Sequence, residues 1–151
     1  MKVLCDSSSL IALEQIGCLG LLQSLFEELL ITPAVAKEVS GSVRLFSWLL
    51  VTEPPELASR VLQRTLGPGE SETIALAVEM RPDFVILDDK AARRVATGLG
   101  LPVIGTVGIL LKAREKGLIP ALRPLLDRLR EASFHISPSL LRAALLAAGE
   151  I

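Results

Sequence analysis

Two spacings of apolar residues alternate along this chain. Runs of strand length, apolar apart from Lys2, occupy residues 2–5, 29–31, 48–51, 84–87 and 101–104. Between them the apolar residues recur at helical spacing, and turn residues mark each change of period. A helix begins at Leu10-Ile11-Ala12-Leu13, behind the N-cap sequence Asp6-Ser7-Ser8-Ser9, and Gly17 breaks it. Residues 18–26 form a second helical stretch. Thr32-Pro33 is a cap followed by proline at the first helical position, which predicts a helix over 34–39. Pro54-Pro55 precedes a helix over 56–66, and Gly67-Pro68-Gly69 ends it sharply. Residues 70–80 are helical and apolar on most sides, the pattern of a buried helix. Asp88-Asp89 caps a helix over 90–99, and Gly105-Thr106 opens another that ends at Gly117. Helices over 121–130 and from Ser137-Pro138 to Ala148, with Gly149 as its stop, complete the chain.

Alternating strands and helices predict an α/β fold with a central parallel sheet between helical layers. The run 84–87 is apolar throughout, as in a strand covered on both faces. Crossovers between parallel strands are right-handed, so the strand C-termini share one edge. Ligands of open α/β sheets bind at that edge, so the residues just past each strand end carry the functional information.

Composition narrows the field. The chain has 151 residues, enough for one domain with a real core, and neither repeats nor a linker divide it. Half of it is hydrophobic and the mean hydropathy is +0.52, which predicts a covered surface, here a homodimer using the C-terminal helix over Leu140 to Ala148 or the helices between Gly17 and Phe26. No apolar run has the length of a bilayer span, and Met1-Lys2 leads straight into a strand, so the expectation is a cytoplasmic protein. Aromatics are 3% and tyrosine is absent, which disfavours a base-stacking platform. Cys5, Cys18 and the single His135 are too scattered for a zinc site. Net charge is −1, so the molecule as a whole is not a generic polyanion binder. Basic clusters persist locally, at Lys90, Arg93 and Arg94, at Lys112, Arg114 and Lys116, and at Arg123, Arg128 and Arg130. Each reads as a solvated helix face or as a rim that tracks phosphates.

Asp6 and Asp88 each come directly after a strand. Either one alone is explained as an N-cap; together they place two carboxylates at one sheet edge. Glu38 falls beside the apolar stripe marked by Val35 and Val39, where it reaches over the sheet end or faces water. Glu70 and Glu72 open one helix, where acids are favoured by the dipole. Glu70 lies on the side of Ile74 and Val78, and Glu72 points away. Clustered carboxylates are costly to bury, and a hard divalent cation relieves them. Oxygen donors select Mg²⁺ or Mn²⁺, ions that activate water and stabilise the leaving oxygen of a phosphodiester.

These residues form segments that resemble a known family. Asp6-Ser7-Ser8-Ser9-Leu10-Ile11-Ala12-Leu13 resembles the opening motif of PIN domains, and Pro33-Ala34-Val35-Ala36-Lys37-Glu38-Val39 their second. Gly69-Glu70-Ser71-Glu72-Thr73-Ile74-Ala75-Leu76-Ala77 resembles the third, in the form of a short bacterial and archaeal subgroup. Asp88-Asp89-Lys90-Ala91-Ala92-Arg93-Arg94-Val95-Ala96 and Gly105-Thr106-Val107-Gly108-Ile109-Leu110 match the rest. The motifs run over residues 1–118 and leave 119–151 as a helical C-terminal part of the same domain. The resemblance implies a three-layer α/β/α fold and magnesium- or manganese-dependent ribonuclease activity. Many relatives are VapC-like toxins of toxin–antitoxin pairs and form homodimers, which implies RNA, a small antitoxin protein and a second copy as partners. Carried over, Asp6, Glu38, Glu70 and Asp88 are the metal-binding and catalytic acids. Ser8 or Thr106 positions a water or ligand. Apart from the resemblance, Lys90, Arg93 and Arg94 start the helix next to Asp88 and are expected to meet the RNA backbone. Toxin-type members usually carry Asp as the third acid and a Thr or Ser shortly before the fourth, where this chain has Glu70 and Leu87. Glu72 and Asp89 therefore stay as alternates.

The rival reading is a catalytically weak or inactive PIN-like module that binds RNA or a protein. A phospho-receiver needs paired acids where Asp6 is followed by serines. A dehalogenase-like phosphatase needs Asp-x-Asp, which Asp6-Ser7-Ser8 does not supply, and Gly67-Pro68-Gly69 lacks the Lys of a P-loop.

Overall fold

A computed structural model describes residues 1–151. The elements in chain order are β1 (Val3–Cys5), α1 (Ser7–Gln15), α2 (Gly20–Phe26), β2 (Leu29–Ile31), α3 (Pro33–Val39), β3 (Leu49–Val51) and α4 (Glu56–Leu62). They continue as α5 (Pro68–Met80), β4 (Phe84–Ile86), α6 (Lys90–Gly98), β5 (Val103–Ile104), α7 (Thr106–Glu115), α8 (Arg123–Glu131) and α9 (Pro138–Ala147). The five strands form one all-parallel sheet in the order β3-β2-β1-β4-β5. Helices cover both faces, giving the three layers expected.

The period of two along each strand divides the core. Val3, Cys5, Leu29, Ile31 and Ile86 face a large cluster with α1, α2, α3, α7, α8 and α9. Leu4, Val85 and Leu87 face a smaller one with Ile74, Leu76 and Ala77 of α5 and Ala92 and Ala96 of α6. Because both faces are covered, the strands lack polar positions, which is why they read as unbroken runs.

The sheet is doubly wound. From β1 the chain steps outward through β2 to β3, then crosses back to β4 on the other side of β1. The winding reverses between β1 and β4, and the register Cys5↔Ile86 brings both C-terminal ends level. The crevice that such a reversal opens is where α/β sheets bind ligands.

Most predicted boundaries fall within a residue or two of the observed ones. The helix expected over 56–66 is shorter, since α4 stops at Leu62 and residues 63–66 turn into the break before Pro68. The pair Asp88-Asp89 divides its labour. Only Asp89 caps α6, accepting the Ala92 N–H at 3.0 Å, and Asp88 is left for other partners. The C-terminus is fastened by Glu150, which accepts the Leu122 and Arg123 N–H groups at 2.7 and 3.0 Å. Those two amides, Arg123 first, hold the Glu150 carboxyl below the usual range. No single helix is long and apolar enough to cross a membrane.

Candidate active site

The first turn of α1 is the centre of the site. Asp6 continues β1, its N–H donating to the Ile86 carbonyl at 3.2 Å, and caps α1 by accepting the Ser9 N–H at 3.2 Å. It is 1% exposed. Three successive serines then donate to three different carboxylates. Ser7 Oγ reaches Glu38 Oε1 at 2.9 Å, Ser8 Oγ reaches Asp6 Oδ2 at 3.2 Å, and Ser9 Oγ reaches Asp88 Oδ2 at 2.7 Å. Side chains at successive helical positions project about 100° apart, so one turn touches acids from α3, from the β1 end and from the β4 end.

Asp88 is held hardest. Besides Ser9, it accepts the Thr106 N–H at 2.8 Å and the Thr106 hydroxyl at 2.5 Å. Thr106 is completely buried. Its amide and hydroxyl both go to Asp88. Across the crevice Asp6 and Asp88 repel. Burial first, and Asp88 second, push the Asp6 carboxyl up to about 7, against the hydrogen bonds from Ser9 and Ser8. Burial, with Asp6 and Asp88 behind it, also raises the Cys5 thiol well above its ordinary value. No Lys or Arg forms an ion pair with any of these acids.

The acids of α3 and α5 meet in a reciprocal arrangement. Glu38 Oε2 accepts the Gly69 N–H in the first turn of α5 at 3.3 Å. Glu72 Oε1 accepts the Ala34 N–H in the first turn of α3 at 2.8 Å. Each helix thus supplies a cap to the other. Gly69 permits the approach, because a Cβ there would collide with the Glu38 carboxylate. Glu70 lies near the same end, its carboxyl raised by partial burial, then by Asp89 and Glu38.

Of the predicted residues, Asp6, Ser8, Glu38, Asp88 and Thr106 belong to one hydrogen-bonded assembly around α1, with Glu70 beside Glu38. Of the alternates, Glu72 accepts the Ala34 N–H of α3, and Asp89 caps α6 while lying close enough to Glu70 to raise its carboxyl. Ser7 and Ser9 escape sequence reasoning, because their partners lie 31 and 79 residues away and no local pattern names them. Among the basic residues only Arg93 reaches the strand ends, its Nη1 donating to the Leu87 carbonyl at 2.8 Å. Lys90 and Arg94 are exposed.

A family model described as a PIN domain matches residues 2–150. The chain belongs to the PIN-domain family. No curated protein matches it. PIN domains are nuclease-type domains that generally use divalent metal ions, and the match extends through the C-terminal helices beyond the motif region. The acids and hydroxyls gathered around α1 are oxygen donors, which suit a hard cation. No three of its His, Cys, Asp or Glu side chains stand close enough together to enclose an ion. Asp6 and Asp88 are fixed by their bonds, whereas Glu38, bonded to Ser7 and Gly69, is exposed and Glu70 half-exposed.

Proposed function

We propose that residues 1–151 form one PIN-type domain that hydrolyses RNA phosphodiester bonds with Mg²⁺ or Mn²⁺ held by Asp6, Asp88, Glu38 and Glu70. The observation that carries this reading is the buried Asp6 set against the half-buried Asp88, neither of them ion-paired, at the point where the sheet winding reverses. Two acids brought together without an ion-paired side chain are a cost to the fold, and a divalent cation would remove it. The donor set fits such an ion in chemistry. When bound it would supply a Lewis acid and a water of lowered pKa.

The chain's own residues do the rest. Thr106 and Ser9 hold Asp88 in place by hydrogen bonds, and the Ser9 amide and Ser8 hydroxyl hold Asp6. Ser8 is exposed beside Asp6 and is the hydroxyl placed to orient a water or a phosphate oxygen. Lys90, Arg93 and Arg94 line the approach along α6 and would neutralise the RNA backbone.

The test is Mn²⁺-dependent cleavage of single-stranded RNA, with calorimetric titration of Mn²⁺ into the apoprotein. Binding together with cleavage supports the proposal. A protein that binds RNA but neither binds Mn²⁺ nor cuts would instead be the interaction module. The exposed Glu38, already satisfied by Ser7 and Gly69, favours that second reading. Membership of the toxin type extends the proposal to a cytoplasmic homodimer neutralised by a small antitoxin. Leu140 and Leu146 of α9, 45% and 63% exposed, are the apolar residues offered for the dimer contact.

A further inference from the structure

Arg93 differs from its basic neighbours in being built into the strand ends. It sits near the start of α6, half-buried, with Nη1 donating to the Leu87 carbonyl at 2.8 Å. Leu87 ends the β4 run, and the next residue is Asp88. Gly105, at the end of β5, makes room for the pair: a Cβ there would stand 2.9 Å from Arg93 Nη1 and 3.0 Å from Asp88 Oδ1. Guanidinium and carboxylate therefore flank the same glycine. No ion pair forms between them, and Arg93 pairs with no other acid. Asp88 turns its oxygens to Thr106 and Ser9 instead.

The arrangement leaves a guanidinium fixed at one nitrogen by a backbone carbonyl, with its remaining N–H groups uncommitted, beside a cluster of acids. Arginine carries five N–H donors in a planar fork, and one hydrogen bond sets the plane without consuming the fork. The group it suits is a phosphodiester, whose two non-bridging oxygens match that geometry. An acidic crevice repels the phosphate it must act on, and a fixed cation at its rim offsets that repulsion where negative charge grows.

We infer that Arg93 is a catalytic residue that grips the non-bridging oxygens of the scissile phosphate, whereas Lys90 and Arg94 only steer the RNA. The inference rests on the nuclease reading of the same site. In the reaction a water oxygen adds to phosphorus and one phosphorus–oxygen ester bond breaks. The water's proton leaves to solvent and the departing oxygen takes up a proton, giving an alcohol and a phosphomonoester. Arg93 exchanges no proton. It donates hydrogen bonds that strengthen as charge builds on the equatorial oxygens.

The experiment compares Arg93→Ala, Arg93→Lys, Arg94→Ala and wild type in Mn²⁺-loaded RNA cleavage at saturating RNA, with Mn²⁺ affinity measured on each. Arg93→Ala should lower kcat by about 100-fold, the size of losing one preorganised donor, and leave Mn²⁺ affinity unchanged. Arg93→Lys, which keeps the charge but loses the fork, should recover only part of that loss. Arg94→Ala should raise KM and reduce its salt dependence, with kcat intact. An Arg93→Ala enzyme with wild-type kcat overturns the inference while leaving the nuclease reading in place. A wild type that neither binds Mn²⁺ nor cuts sinks the nuclease reading instead. For that case, and for a variant that fails to fold, the wild-type Arg93 side-chain Nε–H resonance is monitored while a short RNA is added without metal. A shift larger than that of Arg94 supports the grip, and an unmoved Arg93 signal overturns it.

Discussion

Asp6 does two jobs that demand different things of one carboxylate. As the cap of α1 it needs only an acceptor oxygen, which asparagine also supplies. As an acid facing Asp88 it carries the cost of a second charge, and burial with that charge lifts its carboxyl from 3.8 to about 7. Between those two values the folded protein retains a proton that the unfolded chain has released. Stability without metal therefore falls as pH rises from 3.8 to about 7 and stays lower above. The full effect is on the order of 4 kcal/mol. Thermal melts at about pH 5 and about pH 8 should show the metal-free wild type melting lower at the higher pH. Asp6→Asn should flatten that difference and abolish Mn²⁺ stabilisation, with RNA cleavage down by orders of magnitude. A mutant that keeps both the pH slope and the Mn²⁺ shift would mean that Asp6 is only a cap. Thr106 is tested in the same way at the other acid. Thr106→Val fills the same volume but removes the hydroxyl on Asp88, at a cost of about 1–3 kcal/mol. Thr106→Ser should restore most of it in urea unfolding, and Mn²⁺ affinity should track the hydroxyl.

At the scale of elements, α3 and α5 are joined through their ends. Glu38 caps α5 and Glu72 caps α3, so both glutamates have a structural use, and only one lies beside the serines of α1. Glu72→Ala should cost about 1 kcal/mol of stability, as lost caps do, and leave Mn²⁺ affinity untouched. Glu38→Ala should cost a similar amount and weaken Mn²⁺ as well. Chemical denaturation with parallel Mn²⁺ titration separates the two, and equal Mn²⁺ affinity in both variants would remove Glu38 from the metal set. These helices are readable because their signals are local. Thr32 accepts the Val35 N–H at 3.3 Å and Ser137 the Leu140 N–H at 3.2 Å, as cap sequences predict. Helical period separates Glu70 from Glu72 only weakly, because α5 is buried nearly all round. The cross-capping itself is not readable, since it joins residues 31 and 38 positions apart.

For the whole molecule, the apolar surplus is spent unevenly. The two core clusters take most of it, and α9 still exposes Leu140 and Leu146 while packing against α7. The proposed homodimer rests on that face. Wild type should sediment as a dimer at micromolar concentration, and the double variant Leu140→Glu with Leu146→Glu should sediment as a monomer that still melts cooperatively. A monomeric wild type would show that α9 is not a self-association face. The exposed Leu57 and Val61 on α4 offer a control, since the same change there should leave a dimer through α9 intact.

The sequence by itself determined the periods, the breaks and the acids placed just after strands. From these came the alternation of elements, the parallel sheet with both faces covered, and Asp6 and Asp88 at one edge. These features are written within a few residues, where backbone sterics, capping and side-chain direction act. Tertiary structure alone decided which acids keep company. The order β3-β2-β1-β4-β5 sets β4 beside β1, although their residues lie about 80 positions apart in the chain. That neighbouring lifts the Asp6 carboxyl, gives Ser9 its partner in Asp88 and leaves Asp89, not Asp88, as the α6 cap. It also takes Arg93 out of a row of basic residues and seats it over the Leu87 carbonyl. A carboxylate's proton affinity and an arginine's partner depend on charges and dielectric within a few ångströms, and those distances exist only after the sheet has closed.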